Sequence, residues 1–385
     1  MKRIERDERR ARLVRRQFLD RTAPSIEEVA GDLAGIHSSD PATVYLACWA
    51  RVPGITSQDI ADALYEGRSV LRLLGMRRTM FVVPRSFGAV MDAATTRGYA
   101  PAQRRRLASW IEDSGVADDG DEWIDDVGRR TRDALAAGGP ATARELTRSV
   151  PELATKIGVP GGSIGASTRI LFLLAIEGDI VRGRPRGTWV STQYEWATME
   201  DWIGGRLEPI DPASARASLL RRWLAAFGPV TEKDCAWWTG WTLRDTRTAL
   251  ADIEAETVGL DEGTGYVLPD SLADAAPVDE TDVALLPALD PTSMGWKERA
   301  WFLGPHAPQL FDRNGNIGPT VWAAGRIVGG WGHAPDGTIA VQLLEPIDSR
   351  AEDAIAEHAD ALSTWIGDVR IKARFPTPIE KEIRG

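Results

Sequence analysis

The chain has 385 residues, 43% apolar and 26% charged, with a formal net charge of −10; one ordinary core does not reach that length, so two to four domains are expected. No run approaches the roughly 20 apolar residues that a bilayer crossing needs, and the start MKRIERDERRARLVRRQFLD has no apolar signal core. Cys48 and Cys235 lie far apart without metal-type spacing, which argues against a disulfide framework or a zinc site and fits a reducing cytoplasm.

The acidic sum counts against a nucleic-acid partner, but binding follows the local field. The first 22 residues carry nine Lys/Arg and four Asp/Glu, an excess of +5. Only six of the basic residues in the chain are lysines. A GC-rich genome produces that bias, and arginine forks also suit phosphates and base edges.

A short motif recurs along the chain: Thr56 with Asp59, Thr142 with Glu145, and Thr231 with Asp234, at spacings of 86 and 89 residues. Each reads Thr-x-x-acid-apolar and predicts a helix start. The hydroxyl accepts from a free backbone N–H and the acid reaches back or favours the positive helix end. Behind each start comes a pair of β-like runs split by a Gly-containing turn: 69–75 with 78–84, 178–183 with 188–192, and 256–260 with 266–269. These read as hairpins. A second helix intervenes in the later units, at 167–175 and 243–253; in the first, helices near 26–33 and 41–51 precede the Thr56 helix.

Helix, turn, helix, hairpin is a winged-helix arrangement. The segments 101–113 and 195–207 are candidate helical connectors. From about 280 the pattern turns β-rich, with runs at 282–289, 320–331 and 338–344, a helix at 348–366 and a last strand at 369–375. The expected class is α+β: three tandem winged-helix units followed by a C-terminal β-barrel-like domain. The divisions are an N-terminal arm and first winged helix (1–95), a connector (96–119), the second winged helix (120–196), a connector with the third (197–272) and the β-rich domain (273–385).

Recognition helices read the major groove while wing arginines hold phosphates or enter the minor groove. The first unit offers Arg68, Arg72, Arg77 and Arg78, and the second offers Arg182, Arg184 and Arg186. The third has an acidic wing turn, Asp261-Glu262, and is the poorest candidate. The run Gln103 to Arg106 is either a solvated face or a phosphate clamp. Trp237, Trp238 and Trp241 fall on one helical stripe and are expected in the core. No phosphate-cradling glycine loop, H-E-x-x-H or C-x-x-C occurs, so neither a metal nor a cofactor is expected. One G-x-S-x-G match around Ser163 lacks a good strand before it and reads as a connector turn rather than a nucleophile elbow.

Four stretches together carry a family resemblance: GIHSSDP (35–41), ALYEGRSVLRLLGMRRTMFVVP (63–84), GDIVRGRPRGTWVSTQYEWA (178–197), and ALLPALDP (284–291) with GNIGPTVWAAGRIVGGW (315–331). The chain resembles bacterial winged-helix proteins of the AlkZ/YcaQ type, tandem winged-helix DNA glycosylases, over nearly its whole length. The resemblance implies a C-shaped stack clasping duplex DNA and metal-free hydrolysis of the N-glycosidic bond of alkylated or cross-linked purines. It also implies a catalytic Gln-apolar-Gln or Gln-apolar-Asp motif. Here that place reads His37-Ser38-Ser39, with Asp40-Pro41 behind it.

A neutral His37 could orient water and act as base near neutral pH. Ser39 would assist, and Asp40 would stabilise an oxocarbenium-like state or simply cap a helix that starts at Pro41. Arg313 and its loop would add to the DNA face, while Asp290 before Pro291 either faces the DNA channel or, the favoured reading, is a turn residue. Three readings stay open: a monomeric repair or self-resistance glycosylase of the cytoplasm, associated with the nucleoid when on DNA; a DNA-binding regulator that has lost the motif; and a scaffold or small-molecule binder that no longer meets DNA.

Overall fold

All three Thr-x-x-acid signals start helices. In the computed structural model, which describes every residue except 274, 372 and 374, the Thr56 hydroxyl accepts from the Asp59 N–H while the Asp59 carboxylate accepts from the Thr56 N–H. Thr142 with Glu145 and Thr231 with Asp234 repeat the reciprocal pair.

Helices α1 (Arg6–Arg16) and α2 (Ile26–Asp32) lead into β1 (Ile36–His37), α3 (Pro41–Trp49), α4 (Ser57–Ala61), β2 (Val70–Leu74) and β3 (Met80–Pro84). The strands form an antiparallel sheet in the order β1-β3-β2. Helices α5 (Gly88–Met91), α6 (Ala100–Asp113) and α7 (Gly120–Gly138) connect to β4 (Ala141–Thr142) and α8 (Ala143–Ser149). The hairpin β5 (Lys156–Val159) and β6 (Gly162–Gly165), helix α9 (Ala166–Ile176), and strands β7 (Ile180–Pro185) and β8 (Tyr194–Thr198) follow, with sheet order β4-β8-β7. Then come α10 (Met199–Ile203), α11 (Pro212–Phe227), β9 (Val230–Thr231), α12 (Glu232–Thr239), α13 (Leu243–Asp252), β10 (Glu256–Leu260) and β11 (Gly263–Val267), in the order β10-β11-β9. Each three-stranded sheet thus pairs a hairpin with a two-residue strand that stands just before a helix. In the first unit that helix is α3, and Thr56 starts the next one.

Ser163 sits exposed on β6, opposite Gly158 of a regular strand. The segment before it is therefore a strand after all, but the serine lies in a hairpin and forms no elbow. The second wing also differs from expectation: its returning strand is Tyr194–Thr198, not 188–192. Trp189 instead stacks on Tyr45 at 4.9 Å and meets Trp365 at 5.8 Å, so packing draws those β-prone residues out of the sheet. Segment 195–207 is consequently strand followed by the short α10, not a helical connector.

The C-terminal part contains β12 (Val283–Leu286), one-turn helices α14 (Pro291–Met294), α15 (Ala300–Leu303) and α16 (Ala307–Leu310), β13 (Thr320–Ala323), β14 (Arg326–His333), β15 (Ile339–Leu343), α17 (Ser349–Ile366) and α18 (Pro378–Arg384). Its sheet runs β12-β13-β14-β15 with β12 and β15 as edges. This corrects the barrel expectation: among the described residues the sheet is open. Helix α17 packs along β12 and β15 and α18 along β14, so helices cover it in place of further strands. The described residues of 369–375 are not strand, and 372 and 374 lie outside the description.

One apolar cluster joins the first unit, the third unit and the C-terminal sheet, while residues of 100–196 form a second cluster. In the large cluster Trp223 stacks on Trp238 at 4.9 Å, and Phe227 meets Trp296 at 5.0 Å. Within it Arg51 and Asp290 form a bidentate ion pair at 2.9 and 2.7 Å, both side chains fully buried. Asp290 therefore ties α3 to the C-terminal part and also caps α14.

Candidate functional site

The segment 35–41 begins as the edge of the first sheet. His37 lies opposite Phe81 of β3 and meets its ring edge-on at 5.4 Å. Its Nδ1 is buried without a partner. Burial, then the positive charge of Arg77, pushes its pKa down to about 4. The imidazole is therefore neutral near neutral pH, a weaker base than an exposed histidine and able to accept a hydrogen bond.

Ser38 is buried; its N–H donates to the Met80 carbonyl at 2.7 Å, and its Oγ accepts from Arg72 Nε at 2.7 Å. Ser39 is exposed, and its Oγ accepts from the Met80 N–H at 3.4 Å. Asp40 caps α3: Oδ1 accepts from the Ala42 N–H at 2.9 Å, with Pro41 in the first turn. Its Oδ2 has no hydrogen-bond partner among the described residues. Burial pushes the Asp40 carboxyl above its ordinary value. Burial likewise raises the Tyr194 phenol, and the nearby Asp40 charge adds to that.

Arg72, read from the sequence as a DNA contact, points inward and is 2% exposed. Besides Ser38 it donates to the Tyr65 hydroxyl at 3.0 Å and lies over the Tyr194 ring at 4.6 Å. Among the described residues no carboxylate pairs with it, and its Nη2 is buried without a partner. It therefore steadies the backbone that carries Ser39 and Asp40. Arg182 lies over Tyr194 and Trp196, at 5.6 and 5.2 Å, and lines the same cavity as Arg72.

The other predicted arginines are scattered. Arg184 pairs with Glu66 at 2.6 Å and covers the Tyr65 ring. Arg186 pairs with Glu195 at 2.6 Å and Glu145 at 3.3 Å. Arg68 donates to the carbonyls of Asp201 and Trp202 at 2.9 Å, so it fastens α10 to the first unit instead of facing outward. Arg313 lies over Phe375. Arg77 is exposed over the Trp237 ring at 4.3 Å, with Arg299 on the same ring at 5.0 Å. Arg78 is exposed and makes no ion pair among the described residues.

The basic N-terminal arm does not form a free cationic surface. Arg3 and Arg6 pair with Asp261, and Arg9 with Glu262 at 2.9 Å, so the acidic turn of the third unit absorbs it. Arg104 of the short basic run is likewise held by Asp125 at 2.6 Å and Glu177 at 3.1 Å. Trp238 is core as expected, while Trp237 is only half-buried.

Sequence reasoning missed Tyr65, Tyr194, Arg144 and Arg299. Only the β-prone, aromatic run at 194–198 hinted at Tyr194. Among the described residues no group of three His, Cys, Asp or Glu could hold a metal, and no helix is long and apolar enough to cross a membrane.

Residues 30–365 match a family model described as DNA glycosylase AlkZ-like. The fold is similar to that of the Streptomyces sahachiroi DNA glycosylase AlkZ, with a TM-score of 0.74 and 22% sequence identity, over 94% of this chain and 98% of that chain. No curated protein matches the sequence.

Proposed function

The chain belongs to the AlkZ-like DNA glycosylase family, and from that premise we propose that it binds duplex DNA and hydrolyses the N-glycosidic bond of purines carrying positive charge through alkylation. We read its three helix–helix–hairpin units as winged helices that present the 35–41 segment to the duplex, with the divisions expected from the sequence.

The observation that carries this reading is Asp40. One carboxylate oxygen is fixed by the α3 N-terminus and the other is unpartnered among the described residues; Asp40 lines a small cavity with Thr43, His333 and Arg384, and its charge reaches the Tyr194 phenol. A fixed carboxylate stabilises positive charge developing on the sugar. The bond between C1′ and the ring nitrogen breaks, and its electron pair neutralises the base, which leaves without being protonated. Water then adds to C1′ and loses its proton to the Asp40 carboxylate. Ser39 and His37 serve by accepting or donating hydrogen bonds at the edge of this site.

A second reading is a DNA binder without chemistry. It is favoured by the structural tasks that Ser39 and Asp40 already perform at Met80 and Ala42. The deciding experiment is release of N7-methylguanine and N3-methyladenine from duplex DNA by the wild type, Asp40→Asn and His37→Gln. Asn caps helices as well as Asp, so the fold persists. Loss of about 10²-fold or more in Asp40→Asn, the scale of removing one electrostatic stabiliser, with a smaller change in His37→Gln, supports the glycosylase reading. Salt-steep DNA binding without release from either lesion supports the second.

A further inference from the structure

Outside the 37–40 segment a cavity of about 590 Å³ lies between β2, α9 and the β7–β8 hairpin. That size lies within the usual range for small-ligand sites. Among the described residues three arginines line it, Arg72, Arg144 and Arg182, and no Asp, Glu or Lys does. The aromatic side chains Phe172, Tyr194 and Trp196 complete the wall. A second cavity, of about 610 Å³, differs: Asp32 stands among its arginines and supplies counter-charge.

Two buried polar atoms here have no partner: Arg72 Nη2 and the Tyr194 hydroxyl. Leaving a buried donor or a buried cation unmatched is costly. Among the described residues neither Arg144, which is exposed, nor Arg182, which lies over the Tyr194 and Trp196 rings, makes an ion pair. The donors therefore match an anion, and the aromatic wall matches a flat ring.

We propose that this cavity binds one nucleotide unit, with its phosphate on the guanidinium groups of Arg72, Arg144 and Arg182 and its base against Phe172, Tyr194 and Trp196. The unit comes either as a free mononucleotide or as an unstacked nucleotide of a DNA strand. The inference goes beyond the glycosylase reading, because occupancy of the cavity requires no bond cleavage.

The test is calorimetric titration of the full chain with deoxyadenosine monophosphate, deoxyadenosine and inorganic phosphate. A second arm compares duplex DNA holding a single bulged nucleotide with the fully paired duplex. Arg182→Met and Arg144→Met are titrated alongside; Met keeps the apolar packing, and Arg144 is exposed, so that variant folds.

A mononucleotide that binds about tenfold or more tighter than phosphate or nucleoside, the scale of one stacked base or one charge-assisted contact, assigns the free ligand. A similar preference for the bulged over the paired duplex assigns the strand. Either preference must collapse in the variants. If neither appears, or if both variants fold normally and keep it, the proposal is wrong. Base release is read in a separate assay, so this proposal and the glycosylase reading fail independently.

Discussion

His37 offers a direct test of how this fold treats its most unusual imidazole. The group titrates near 6.5 when unfolded and at about 4 when folded, because burial against Phe81 disfavours the cation. The unfolded chain therefore takes up the proton first. The stability contributed by the neutral ring is complete above pH 6.5 and is lost as the pH falls toward 4. At 1.36 kcal/mol per pH unit of difference the full loss is about 3 kcal/mol, and at pH 5 it is about 2 kcal/mol. His37→Gln removes the titration and keeps a polar side chain. Urea unfolding of both proteins at pH 7.5 and pH 5.0 isolates the effect, since other acid-sensitive groups cancel in the comparison. The wild type is expected to lose about 2 kcal/mol more than the variant between the two values. With only four histidines in the chain, NMR resolves the His37 resonance and its midpoint directly. Equal losses in the two proteins, or a midpoint near 6.5, would refute the account of a desolvated imidazole.

Asp290→Ala strands the fully buried Arg51 guanidinium and is expected to cost about 3–5 kcal/mol in denaturant unfolding; Arg51→Met with Asp290→Leu should recover much of that. Arg78→Ala should weaken duplex DNA binding across sequences and reduce the slope of log K against log salt by about 1, while leaving the melting temperature unchanged. Trp189→Ala removes the ring stacked on Tyr45 and should destabilise the protein by about 2 kcal/mol, from the ring pair plus lost apolar burial; thermal unfolding reads it.

The parts of the fold legible from sequence are those whose signals span a few residues. The capping boxes at Thr56, Thr142 and Thr231 each close over four residues, and the Asp40–Pro41 start of α3 is equally local. The hairpins were visible as paired β-prone runs. Trp189 and Val190 have the same local character, yet Tyr45 and the α17 face claim the tryptophan, and the strand forms at Tyr194 instead. The open C-terminal sheet was beyond local pattern too, since strand runs alone do not say whether edges meet or are covered by helices.

The candidate site divides in the same way. The family resemblance points to 37–40 as the candidate site, and the helix-capping role of Asp40 lies in the sequence itself, because an N-cap depends on neighbours along the chain. The lowered pKa of the His37 imidazole, the inward Arg72 and the arm paired with Asp261 and Glu262 were decided only by tertiary structure. Burial and ion pairing depend on which distant groups come within a few ångströms, and a linear pattern of charges carries no such distance.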